Sequence, residues 1–172
     1  MPFAQITKNL YLGDQFSNKL DQPNMELKIS NMYYDIFKKN YSNESNVFYN
    51  DYFVKTKNKL ALNLLDSHDP DDFNDYKFAL AIKFINENIK DNLIYTHCQL
   101  GVSRSASTIF IYLVICKILN QNNFEVALNE YIKKFYPYIK VNYGIYKYLK
   151  NNFPYTNVEK ISKMTWGDLI EY

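Results

Sequence analysis

The stretch from Asn92 to about Asn120 most constrains what this chain can fold into. Asn92–Thr96 (NLIYT) reads as a short buried strand, and residues 97–107 (HCQLGVSRSAS) as a loop. From Ser103 or Arg104 to about Asn120 the apolar residues predict a long buried helix. A strand that passes through a glycine-bearing loop straight into a helix is the mark of an α/β protein with a parallel sheet. In such sheets a ligand sits beyond the carboxyl ends of the strands. The loop at 97–107 lies at one of those ends.

The remaining segments give weaker signals. Ile6–Leu12 reads as a short strand ending at Gly13, and residues 25–32 (MELKISNM) alternate weakly as a second. From Lys38 to Lys59 aromatic residues are scattered among Asn, Ser and Lys, which predicts loops with one strand near Val47–Val54. Lys59–Leu65 is a clearer strand that ends at Asp66. The loop DSHDPDD follows, with Pro70 and its acidic residues suited to a helix start. Helical spacing of Phe73, Tyr76, Ala79, Phe84 and Ile85 predicts a helix over residues 72–89. Further helices are expected over 124–136, closed by Pro137, and over 143–151. Residues 154–172, which hold the only tryptophan, Trp166, show no readable pattern. Without repeats or a linker, the expectation is one domain over 1–153 with 154–172 as a tail packed on it.

Composition narrows the function classes. A chain of 172 residues, 47% hydrophobic, can bury a core and is not disordered. The formal net charge of +2 carries no basic stripe for nucleic acid; Lys38-Lys39 and Lys133-Lys134 read as solvated pairs. Two cysteines, Cys98 and Cys116, make no disulfide framework, and with only His68 and His97 no zinc spacing exists. Cys116 is expected to be a buried structural thiol. The start lacks a signal-peptide pattern, and the apolar run Ile109–Cys116 is too short to span a bilayer. The expectation is a cytoplasmic protein with neither nucleic-acid nor membrane partners.

The chemistry concentrates in the loop. Arg104 is the only arginine; every other basic side chain is lysine. A planar guanidinium grips two oxygens of a tetrahedral phosphate, whereas lysine offers a point charge. Backbone N–H groups from Gln99, Leu100, Gly101, Val102 and Ser103 to Arg104 can line a nest around an anion. Gly101 permits a turn that a side chain obstructs, and the helix that follows adds its positive end. This field favours the thiolate of Cys98, which makes it a nucleophile. His97 is expected to orient the loop by hydrogen bonds and not to act as a base. Ser105 either hydrogen-bonds the sulfur, helping it leave in a second step, or simply caps the helix.

HCQLGVSRSAS resembles the HCx5R[ST] active-site motif of the cysteine-dependent protein tyrosine phosphatases, and in particular that of the dual-specificity phosphatases. ITKNLYLGD, KISNMYYD, LALNLLDS and VNYGIYKYL are similar to further segments of that family, so the resemblance spans most of the chain. It implies a central, mostly parallel sheet flanked by helices. It also implies hydrolysis of phosphate monoesters through a cysteinyl-phosphate on Cys98, with 1–153 as the catalytic domain. An aspartate about thirty residues before the cysteine serves as general acid in the family; Asp66 has that placement, with Asp69 and Asp71 as alternatives. No metal or other cofactor is implied. The uncharged loop interior favours a phosphorylated protein as substrate, at phosphotyrosine and at phosphoserine or phosphothreonine, and a monomer is the favoured state. A phosphoinositide or RNA phosphatase with the same chemistry is the alternative, as is a non-catalytic phosphate-binding regulator.

Overall fold

All four residues of β7, Ile94–His97, are buried. The reason is their place in the sheet of the computed structural model, which describes residues 1–17 and 24–172. A seven-stranded sheet runs in the order β1-β2-β7-β3-β6-β5-β4. Its strands are β1 Phe3–Thr7, β2 Leu10–Gly13, β3 Met25–Ile29, β4 Phe48–Tyr49, β5 Phe53–Lys55 and β6 Lys59–Leu62, besides β7. Strand β7 pairs in parallel with β2 on one side and β3 on the other, and β3 pairs in parallel with β6. The outer pairings, β1 with β2 and β4 through β5 to β6, are antiparallel. The fold class expected from the sequence, α/β with a central mostly parallel sheet flanked by helices, is the one observed.

Strand alternation distributes side chains to two faces. Phe53, Leu60 and Leu62 join the main core with the helices α2 (Asp75–Asn88) and α3 (Arg104–Ile115). Val54 and Ala61, one residue out of phase, instead pack with Tyr34 and Phe37 of α1 (Asn31–Tyr41). Helices therefore cover both faces. Every residue of α3 from Arg104 to Val114 is buried: the polar first turns, Arg104–Thr108, lie under the loop, and Ile109–Val114 is apolar all round. The remaining helices are α4 Phe124–Lys134, α5 Tyr143–Asn152, α6 Thr156–Ser162 and α7 Trp166–Ile170. Asparagines cap three of the helices: Asn74, Asn123 and Asn142 accept from the backbone N–H of Lys77, Val126 and Ile145 at α2, α4 and α5.

Several elements differ from the sequence expectation. The single strand over 6–12 is a hairpin, β1 and β2, reversed at Lys8-Asn9. The strand read over 25–32 stops at Ile29; the stretch from Lys38, read as loops with one strand near Val47–Val54, begins with the end of α1 and holds two short strands there, β4 and β5. Helix α1 buries only Tyr34 and Phe37, too sparse an apolar face to stand out against its Asn, Lys and Tyr neighbours. Helix α3 ends at Ile115, short of Asn120, because Lys117 turns to φ 58° and Ile118 N–H returns to Leu113 O at 3.0 Å. Cys116 therefore lies at the exposed helix end and is not the buried thiol expected. Residues 154–172 supply core: Val158 and Leu169 are fully buried, and Tyr76 Oη donates to Leu169 O.

Candidate active site

The parallel strands all end at one edge of the sheet, and their ends build the site. Strand β7 delivers Cys98, which is 2% exposed, at the base of the loop. Sγ accepts the Gly101 N–H at 3.3 Å and the Ser105 hydroxyl at 3.2 Å. The N-cap of α3 is Ser103, whose side chain makes no capping bond. Ser105 thus turns to the sulfur and is not the cap. Gly101 has φ +73°, and a Cβ there would lie 2.6 Å from the Gly13 carbonyl carbon, so the loop backbone is wedged against the end of β2. Tyr136 Oη donates to Gly101 O at 2.9 Å, Lys140 N–H to Val102 O at 2.7 Å, and Gln15 N–H to Gln99 O at 3.3 Å. The loop is braced from three directions. The N–H groups of Gln99, Leu100, Val102 and Ser103 donate to no acceptor among the described residues.

Arg104 is 2% exposed, and the neighbouring strand ends hold its guanidinium. Nη1 donates to Ser30 Oγ beyond β3, at 3.1 Å, and to Leu64 O beyond β6, at 3.3 Å. Nη2 donates to Gln99 Oε1 at 3.0 Å and lies 3.6 Å from Asp66 Oδ2. The buried Nε has no partner among the described residues. A donor this buried and unpaired fits an anion at the loop.

Asp66 stands at the mouth, its side chain 44% exposed, with Oδ1 accepting from Asn142 Nδ2 at 2.6 Å. Asp69 and Asp71 share the segment but face elsewhere. Asp69 Oδ1 accepts the Asp71 N–H at 3.0 Å and caps the 3-10 turn Pro70–Asp72, and Asp71 is exposed. Of the three, only Asp66 pairs with Arg104.

His97 is buried between two rings, Tyr33 at 5.1 Å and Tyr95 at 5.4 Å between centroids. Its Nδ1 donates to Cys98 O at 3.2 Å. Burial, helped by the Lys28 charge, pushes its pKa down to about 4, so the ring is neutral. The 4.0 Å approach of Nε2 to Glu26 Oε1 is accordingly no ion pair. His97 thus meets the loop from behind, through Cys98 O.

Ser30, the Leu64 carbonyl, Tyr136, Lys140 and Asn142 complete the site without having been singled out in the sequence for it. Only Asn142 carried a signal, as an asparagine opening the helical segment VNYGIYKYL. No group of three or more metal-ligating side chains occurs among the described residues. No helix among them is long and apolar enough to cross a membrane.

No family model matches the chain, and no curated protein matches it. Its fold, in contrast, is shared with solved structures of phosphatases and of a phosphatase-like protein. DUSP15 superposes with a TM-score of 0.63 at 17% identity over 98% of this chain and 95% of that one. The human tyrosine phosphatase-like serine/threonine/tyrosine-interacting protein gives 0.59 at 18% identity over 87% and 93%. PTPMT1 in complex with PI(5)P gives 0.59 at 15% identity over 93% and 98%. The chain has the fold of the dual-specificity phosphatases within the protein tyrosine phosphatase superfamily.

Proposed function

We propose that the chain is a cytoplasmic dual-specificity protein phosphatase, hydrolysing phosphotyrosine and phosphoserine or phosphothreonine through a cysteinyl-phosphate. One observation carries the reading: a cysteine sulfur, its serine partner, a strand-anchored arginine with a free Nε, and an aspartate converge on one loop. In the first step the Cys98 sulfur, as thiolate, attacks phosphorus. The S–P bond forms, the ester P–O bond breaks, and Asp66 gives its proton to the leaving oxygen. In the second step Asp66 takes a proton from water, whose oxygen bonds phosphorus as the S–P bond breaks. Inorganic phosphate leaves, and the Ser105 hydroxyl stabilises the departing thiolate. Arg104 and the loop N–H groups follow the equatorial oxygens through both transition states.

The uncharged interior of the loop, Gln99, Leu100, Val102 and Ser103, supports a protein substrate carrying one phosphate at the reacting position. The likeness to PTPMT1, solved with PI(5)P, favours a phosphoinositide as the second reading. The test is hydrolysis of matched phosphotyrosine, phosphothreonine and phosphoinositide substrates in the presence of a chelator, wild type beside Cys98→Ser. Turnover of both phosphopeptides, abolished in the variant, is the expected result. Preference for the lipid would replace the substrate and keep the chemistry. Absence of turnover with retained binding of phosphate analogues would make the chain a phosphate-binding regulator.

A further inference from the structure

The Asp66 segment has no regular structure from Asn63 to Asp69, yet its carboxyl must meet the leaving oxygen in a fixed orientation. Residues 140–144 supply the constraint. At one end Lys140 N–H donates to Val102 O at 2.7 Å, which ties this segment to the phosphate loop. At the other end Gly144 lies against the acid segment. A Cβ there would come within 2.7 Å of Ser67 O, 2.8 Å of His68 C and 2.9 Å of Asp69 O. Between them Asn142 Nδ2 donates to Asp66 Oδ1 at 2.6 Å.

The amide of Asn142 cannot flip. Its Oδ1 accepts the Ile145 N–H at 2.9 Å as the N-cap of α5. Turning the amide over would set an oxygen against Asp66 and an NH2 group against an N–H donor. Nδ2 is therefore held as a donor toward Asp66. A carboxyl oxygen that accepts from an amide is the wrong one to carry the acidic proton. In the protonated acid the proton must then sit on Oδ2, the oxygen 3.6 Å from Arg104 Nη2 and so on the side of a bound phosphate.

Resting on the proposed function, we infer that Asn142 is the positioning residue of the acid: it fixes the Asp66 carboxyl and assigns its proton to Oδ2. It touches neither the sulfur nor Arg104 and acts only through Asp66.

Two variants test this. Asn142→Asp keeps the shape and the capping oxygen but replaces the donor with an acceptor. Asn142→Ser keeps a capping hydroxyl, withdraws the donor and adds no charge. The readout is kcat/KM along a series of leaving groups, from an aryl phosphate with a strongly acidic phenol to a phosphothreonine peptide, with thermal melting as the check on folding. Positioned general acids contribute about 10²- to 10⁴-fold. Loss of the positioning should cost about tenfold or more on phosphothreonine and less than about threefold on the acidic phenol, because a stable phenolate needs no proton. An equal loss along the series, or no loss in either variant, overturns the inference and leaves the proposed function standing. Wild-type chain with no Cys98-dependent turnover overturns the proposed function and the inference together.

Discussion

The Ser105 hydroxyl donates to Cys98 Sγ at 3.2 Å from the first turn of α3. That bond stabilises a thiolate, and the thiolate appears twice in the proposed cycle, as nucleophile and as leaving group. The buried loop already supplies the Gly101 N–H and the helix end to the attacking sulfur. The second step, where sulfur must depart, depends on Ser105 more. Ser105→Ala should therefore lower kcat about tenfold or more, on the scale of one lost donor, while the first turnover stays fast. A stopped-flow burst of phenol, with phosphorylated enzyme trapped by acid quench, is the expected signature. Loss of the first turnover in the same proportion would place Ser105 in the attack instead.

Arg104 hangs from Ser30 and the Leu64 carbonyl through Nη1, while Nη2 donates to Gln99 of the loop and the buried Nε has no partner among the described residues. A lysine at this position has one nitrogen to serve both purposes. It cannot hold the two strand ends and fork onto two phosphate oxygens as well. Arg104→Lys should lose about 10²- to 10³-fold in kcat although the charge is kept. Near-normal kcat would mean that charge alone suffices and that the strand-end anchoring is incidental.

Leu169 is fully buried in the same core as α2 and α3, and Trp166 beside it donates from Nε1 to Glu87 Oε2 at 2.8 Å. The C-terminal residues are thus structural, remote in sequence from the loop and pinned to α2. Leu169→Ala should destabilise the chain by about 2–5 kcal/mol and leave kcat of the folded fraction unchanged. Trp166 packs on Phe53 at 5.5 Å between centroids, so its fluorescence reports the unfolding directly. A large change in kcat at unchanged stability would contradict this reading.

What was legible in the sequence was what local chemistry dictates. The strand read over 92–96, the glycine-bearing turn and the helix read from 103 or 104 were legible because Ile94–Thr96 and Ile109–Val114 offer no solvated face, although the helix was read about five residues too long. Asp66 was legible through the family resemblance, which implies an acid about thirty residues before the cysteine; the strand read as far as Leu65 in fact stops at Leu62. The hairpin β1–β2 and helix α1 were not legible, because the former is a short reversal and the latter buries just two side chains. The braces of the site were hidden for another reason. Ser30 lies 74 residues from Arg104, and Asn142 lies 76 from Asp66. Such contacts exist only once the sheet has brought the strand ends together, and no spacing along the chain announces them.

His97 makes the pH dependence of stability a direct test of burial. Its pKa is about 4 in the fold, against 6.5 for an unburied histidine. Above about pH 6.5 neither the folded nor the unfolded chain protonates this ring, and its full contribution is present. As pH falls from 6.5 toward 4 the unfolded chain takes up a proton that the folded chain refuses, so stability drops. Below about 4 both states hold the proton and the contribution is gone. A shift of this size corresponds to about 3 kcal/mol. His97→Asn keeps a donor where Nδ1 meets Cys98 O and removes the titration. Urea melts of the two proteins should therefore converge by about 3 kcal/mol between pH 7 and pH 4. A difference that stays constant over that range would mean that the ring protonates freely in the folded chain. The kcat pH profile should keep its shape in the variant, because the proton carrier in the proposed cycle is Asp66 and the imidazole only orients the loop.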